Sequence, residues 1–163
     1  MNESDKEFTF TKVLNAPREL VFQAWTEERH LARWWGPKGL SLRVAKLDVR
    51  PGGKFHYRMQ TPDGHVTWGK FVYQEIVAPE RIVFVNSFSD AEGNLIPPPF
   101  EEPWPTEIVN TVTLTEENGR TTLTLRAVPI RATEEEVHVF IAGFESMKQG
   151  YGGTFEQLAE VVE

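Results

Sequence analysis

Residues 133–162 read TEEEVHVFIAGFESMKQGYGGTFEQLAEVV, and the chain is best understood outward from this stretch. Thr133 with Glu136 three residues on forms a capping box, and Glu134 and Glu135 suit the positive end of a helix dipole. At about 100° per residue, Phe140, Phe144, Met147, Tyr151, Phe155, Leu158 and Val162 fall on one stripe. The pattern predicts one long helix over 133–162, on the order of 45 Å at roughly 1.5 Å per residue. Gly143, Gly150, Gly152 and Gly153 stand out, since each costs up to about 1 kcal/mol against alanine inside a helix. The first two lie on one flank of the stripe and predict a shallow edge facing whatever the helix packs on. Thr154 with Gln157 offers a second cap after Gly153, but the stripe stays in phase through it.

What the helix packs on is read from residues 40–128. Six β-rich runs are separated by turn signals: Pro51-Gly52-Gly53, Pro62-Asp63-Gly64, Pro79-Glu80 and Asn118-Gly119, the last a strong hairpin signal. Residues 54–61 alternate, with Phe55, Tyr57 and Met59 on one face and His56, Arg58 and Gln60 on the other, which predicts a solvated His56. Residues 8–14 (FTFTKVL) add a seventh strand. Two short helices follow it, PRELVFQAW behind Pro17 and EERHLARWW behind a Thr26 cap, ending at Gly36-Pro37. The class is α+β: an antiparallel sheet of about seven strands, with helices near both ends of the sequence, in a single domain over 1–163. Residues 89–105 (SDAEGNLIPPPFEEPWP) hold five of the 11 prolines and exclude a helix or a central strand. They read as an extended connection, or as a stiff lid in which Ile96, Phe100 and Trp104 fold over an opening in the sheet.

Composition narrows the function classes. The chain has 163 residues and a net charge of -7 with no basic run, which argues against nucleic acid and anionic membranes as partners. Having no cysteine, it lacks disulfides, thiol nucleophiles and cysteine metal sites, as suits a reducing cytoplasm. The acidic start MNESDKEFTFT predicts no signal peptide, and no apolar run is long enough for a transmembrane helix. His30, His56, His65 and His138 share no ligand spacing, and neither a Gly-x-Ser-x-Gly elbow nor a phosphate loop occurs. No metal, cofactor or catalytic residue is expected.

Several motifs together carry a resemblance. They are Ala16-Pro17, Val21-Phe22, Ala24-Trp25-Thr26, Leu31 with Trp34-Trp35-Gly36-Pro37, Arg50-Pro51-Gly52-Gly53, Glu75-Ile76, and Pro79-Glu80-Arg81-Ile82-Val83-Phe84. Residues 121–125 and the late GYGGTFEQLAE complete the set. In this order the chain resembles bacterial START-like (SRPBCC superfamily) proteins, and more narrowly the family named after the activator of the heat-shock protein 90 ATPase. The resemblance implies a helix-grip fold, a curved sheet wrapped around a long C-terminal helix with two short helices plugging one end. It also implies a hydrophobic ligand held between sheet and helix. Residues 89–105 are longer and richer in proline than the family's usual connection.

The candidate ligand-binding residues combine both readings. Phe55, Tyr57, Met59, Trp68 and Phe84 are sheet positions, with the direction of Trp68 open because a bulge near Gly69 would flip it. Trp34 and Trp35 end the second short helix where it caps the cavity mouth. Asn86 and Asn110 fall on inward strand faces, as anchors for a ligand's carbonyl or hydroxyl or as internally bonded amides, since an unpaired buried amide costs roughly 1–3 kcal/mol. Gly143, Met147, Gly150 and Tyr151 line the helix edge. Three functions stay open: a binding protein for a small, mostly apolar molecule, a cofactor-independent enzyme of polyketide cyclase or aromatase type, and a stress-related or co-chaperone-like interaction module. Homodimerisation through the outer sheet face is a further expectation.

Overall fold

A computed structural model describes residues 3–163, with a short 3-10 turn at Glu3–Lys6 preceding the first strand. The strands are β1 (Phe8–Leu14), β2 (Ser41–Leu47), β3 (Lys54–Gln60), β4 (Val66–Val77), β5 (Arg81–Ser89), β6 (Glu107–Glu117) and β7 (Arg120–Ile130). They form one antiparallel sheet in the order β1-β7-β6-β5-β4-β3-β2, so only the β1–β7 pairing joins strands distant in sequence. The hairpin between β6 and β7 turns on Asn118 and Gly119, both at positive φ (54° and 78°), the conformation an Asn-Gly pair tolerates best.

Helices α1 (Arg18–Thr26) and α2 (Glu28–Trp34) follow β1. Thr26 does not cap α2: it is the last residue of α1, where its hydroxyl donates to the Phe22 carbonyl at 2.9 Å, and Glu27 takes the cap position. The capping box at Thr133 and Glu136 is present and opens α3 (Glu134–Ala142). The expected single helix then divides, with Gly143 between α3 and α4 (Phe144–Val162). Gly143 sits at φ -90° and ψ 3°, and the Trp104 ring packs where its side chain would be: a Cβ there would lie 3.2 Å from the ring. Gly143 belongs to the bonding pattern of both helices, its N–H donating to the Val139 carbonyl and its own carbonyl accepting from Met147 N–H. Helix α4 therefore starts directly where α3 ends, with one residue as the kink between them. Through Gly152 and Gly153, by contrast, α4 is unbroken, and Gly153 lies against the aliphatic stem of Lys38.

The core fills the concave face of the sheet. Trp25, Trp34, Phe55, Phe71, Phe84, Phe140 and Phe155 are essentially fully buried, each such ring contributing on the order of 1.5–3 kcal/mol over an exposed one. Trp25 meets Trp34 edge-on at 4.7 Å, and Phe71 stacks on Phe84 at 3.9 Å. Helix α4 locks onto the end of α2 through side chains. Thr154 Oγ1 donates to the Gly36 carbonyl at 3.0 Å, and Gln157 Nε2 donates to Gly36 and Trp34 carbonyls at 2.9 and 3.2 Å. The Trp34 carbonyl is one that the end of α2 leaves without an internal partner, and Gly36 lies just past the cap. Thr154 and Gln157 thus join two helices rather than starting a new one.

The outer face departs from expectation at one place. His56 points away from the helix as its alternation requires, yet it is only 8% exposed. The turn after β5 covers it: His56 Nε2 lies 3.1 Å from the Asp90 carbonyl, and Lys70 Nζ donates to the Gly93 carbonyl at 2.9 Å. Asp90 holds that turn by accepting from the backbone N–H of Glu92 and Asn94.

Candidate functional site

A cavity of about 260 Å³ lies between the sheet, α4 and the corner after α2. β3 supplies Tyr57 and Met59, β5 supplies Asn86 and Phe88, and β6 supplies Ile108. From α4 come Met147, Gly150, Tyr151 and Thr154, and Trp35 and Gly36 close one end. Gly150 is exposed at the mouth, and a Cβ built on it would meet nothing within 4 Å. No charged side chain lines the cavity among the described residues.

The polar groups are few and specifically arranged. Asn86 Nδ2 donates to the Tyr57 hydroxyl oxygen at 3.2 Å and to the Lys70 backbone carbonyl at 3.1 Å. A carbonyl can only accept, so the second bond fixes which end of the amide is nitrogen. Asn86 Oδ1 then has no hydrogen bond among the described residues, and neither the Tyr57 proton nor the Tyr151 hydroxyl has an acceptor there. Burial pushes the Tyr57 hydroxyl above the usual tyrosine range, offset in part by hydrogen bonding from Trp35 and Asn86. Burial raises Tyr151 further, and Tyr57 adds to the effect. Both phenols therefore keep their protons at neutral pH and offer donors, not bases.

The position of the Tyr57 ring depends on Gly69, the β4 residue paired with it. A Cβ on Gly69 would stand 2.6 Å from the Tyr57 hydroxyl oxygen and 2.7 Å from the ring carbon that bears it. A glycine inside a strand is a signal of close approach, and it marks this contact in the sequence. The Tyr57 ring lies flat over the vacant place, within reach of Asn86.

The other candidates lie elsewhere. Trp34 is buried beneath the cavity end, its Nε1 donating to the Ala24 carbonyl at 2.8 Å. Phe55 and Phe84 belong to the packed core beside the cavity, not to its wall. The register of β4 stays regular at Gly69 and shifts only between Tyr73 and Glu75, so Trp68 lies on the outer face, stacked on His56 at 5.0 Å. Asn110 is buried in β6, donating to the Ile108 carbonyl at 3.1 Å, while its Oδ1 is buried without a partner among the described residues. Gly143 lies outside the cavity, on a surface groove of about 510 Å³ shared with Phe100, Trp104 and Met147.

Trp104 and Met147 belong to both spaces and form the wall between them. From the proline-rich loop, Phe100 packs edge-on against Phe88 at 5.5 Å and against Trp104 at 6.1 Å, and Trp104 meets Phe140 at 5.5 Å. Ile96 takes no part in the wall and is tied instead to the Phe88 carbonyl through its backbone. Among the described residues no group of three His, Asp or Glu side chains could hold a metal, and no helix is long and apolar enough to cross a membrane.

The model of the family described as Activator of Hsp90 ATPase homolog 1-like protein matches residues 15–163. Among solved structures, the chain is similar to an Arthrobacter aurescens protein, with 26% identity and a TM-score of 0.80 over 99% of this chain and 88% of that one. It is also similar to protein CV1439 from Chromobacterium violaceum, with 25% identity and a TM-score of 0.75 over 97% of each chain. DynU16, a protein in the dynemicin biosynthetic locus, shares the fold at a TM-score of 0.65 and 20% identity, over 95% of this chain and 46% of that one. No curated protein matches the sequence.

Proposed function

From the premise that the chain belongs to the Activator of Hsp90 ATPase homolog 1-like family, we infer that its cavity binds a small, mostly apolar molecule. The observation that carries the reading is an uncharged cavity of about 260 Å³ in which Tyr57, Asn86 and Tyr151 keep unused hydrogen-bonding capacity. Apolar walls with a few convergent polar groups are what small-ligand sites present. At this volume the occupant is a compact molecule of one or two rings, not a long acyl chain. A cytoplasmic binding protein suits the cysteine-free sequence.

An enzyme of cyclase or aromatase type is the second reading, and DynU16's biosynthetic locus is the observation that favours it. Such an enzyme needs a group that gives or takes a proton at the reacting atom. Among the described residues only Tyr57 and Tyr151 line the cavity as ionisable side chains, and burial holds both in the neutral form. Binding is therefore the stronger reading.

A thermal-shift screen with fatty acids, flavonoids and polyketide-like aromatics tests it, together with fluorescence titration of an apolar dye. A raised Tm is expected with the smaller aromatics and not with the fatty acids. Gly150→Leu should abolish dye binding while keeping the circular dichroism of the wild type, since leucine improves on glycine in a helix by up to about 1 kcal/mol. Unchanged dye binding in that variant would place the ligand elsewhere.

A further inference from the structure

The hydrogen bonds already made around Asn86 restrict what the cavity can accept. Both amide protons are engaged, one on Tyr57 and one on the Lys70 carbonyl, so the side chain presents only its Oδ1 acceptor. An acceptor at an apolar wall needs a donor, because an unmatched polar group there keeps its desolvation cost. Tyr57 and Tyr151 carry the complementary protons. A ligand that satisfies all three must both donate and accept at one end. A hydroxyl does this, whereas a carboxylate only accepts and would turn lone pairs toward Asn86 Oδ1.

Charge adds a second restriction. Among the described residues, the lining from β3, β4, β5, β6, α4, the corner after α2 and the loop at 104–106 contains no Lys, Arg, His, Asp or Glu, and its only titratable groups are the two tyrosines. Two lysines of neighbouring segments are engaged elsewhere: Lys70 Nζ bonds the Gly93 carbonyl on the outer face, and Lys38 pairs with Glu156 at the surface. A buried anion would thus have no counter-charge in the lining.

Resting on the small-molecule reading above, we propose that the cavity selects its ligand by protonation state. It takes a neutral hydroxyl compound, a phenol, enol or alcohol, whose O–H bonds Asn86 Oδ1 and whose oxygen accepts from Tyr57 and Tyr151, and it rejects carboxylates and phenolates of the same shape.

A chromophoric phenol tests this directly, because p-nitrophenol titrates near neutrality and only its phenolate absorbs strongly in the visible. The full chain is titrated with p-nitrophenol across that pH range, with p-nitrobenzoate, with nitrobenzene and with Nile red. Protein should bleach the phenolate band near the probe's midpoint, as the bound probe takes up a proton. Its affinity should fall about tenfold per pH unit above the midpoint, with p-nitrobenzoate at least about a hundredfold weaker throughout. In Asn86→Leu the preference for neutral p-nitrophenol over nitrobenzene should collapse while nitrobenzene still binds, which shows that the variant cavity is intact. Binding of the phenolate or of p-nitrobenzoate as tightly as neutral phenol overturns the proposal. So does binding of Nile red with no uptake of p-nitrophenol at any pH, an outcome that leaves the small-molecule reading standing. If none of the four probes binds, both fall.

Discussion

Gly69 has no side chain, and the Tyr57 ring occupies that space. The 2.6 Å approach leaves no room for a methyl group, and Tyr57 is a buried ring locked by Phe55, Phe71 and Asn86 rather than a flexible tip. Gly69→Ala should therefore push the ring off Asn86 and cost about 1–3 kcal/mol, the usual range for overpacking. Denaturant unfolding measures the loss. Pairing Gly69→Ala with Tyr57→Leu should recover much of it, and a coupling energy near zero in that double-mutant cycle would show that the contact is not responsible. At this scale the sequence is legible where a residue type is out of place, as with a glycine in mid-strand or an asparagine among valines. The two asparagines show the limit. Asn86 and Asn110 both occupy inward positions and sit in similar sequence contexts, yet one lines a cavity and the other is buried beside the Ile108 carbonyl. Which one meets open space depends on how far Ile108, Met147 and Tyr151 stand apart, and no local pattern encodes that distance.

Among the elements, the junction of α3 and α4 couples the long helix to the proline-rich loop. Trp104 packs on Gly143 and Phe140, and with Met147 it divides the inner cavity from the outer groove. A larger side chain at Gly143 cannot share that place. Gly143→Leu should displace the Trp104 ring, red-shift tryptophan emission and lower stability by about 1–3 kcal/mol, even though leucine is the better helix former. It should also speed dye uptake in stopped flow, because the wall between groove and cavity loosens. Unchanged emission and uptake would show that Trp104 does not depend on this contact. The capping box and the stripe were readable because both are local, whereas the kink was not, since it comes from a tryptophan some forty residues earlier in the chain. His56 is the same case on the outer face: alternation gives its direction, but its burial comes from a turn built on Asp90.

At the scale of the molecule, strand number, antiparallel pairing and the placement of the helices were all legible, because hairpin signals and periodicities repeat in every element. What was not legible is how the tertiary environment treats its ionisable groups, and the tyrosines make that testable. The chain has three, Tyr57, Tyr73 and Tyr151, and burial raises all of them above the usual range. In the unfolded chain each titrates near about 10. Below that pH both states hold the protons and stability is unaffected. Above it the unfolded chain releases protons that the folded protein keeps, so the unfolded state binds fewer and stability falls as pH rises. Each group contributes about 1.4 kcal/mol per pH unit, so three give about 4 kcal/mol per unit until the folded values are reached. Lys70, lowered by burial and by Lys54, acts in the opposite sense near the same pH, and Lys38, raised by Glu156, acts in the same sense from an exposed position. With typical domain stabilities of roughly 5–15 kcal/mol, the fold should be lost within a few pH units above 10. Tyrosinate absorbance and far-ultraviolet circular dichroism should then change together in one transition. A tyrosinate signal that grows while the circular dichroism stays native would mean that solvent reaches the phenols in the folded state. Tyr57→Phe separates the contributions, since its stability should fall less steeply above pH 10, by about 1.4 kcal/mol per unit, while the transition stays cooperative.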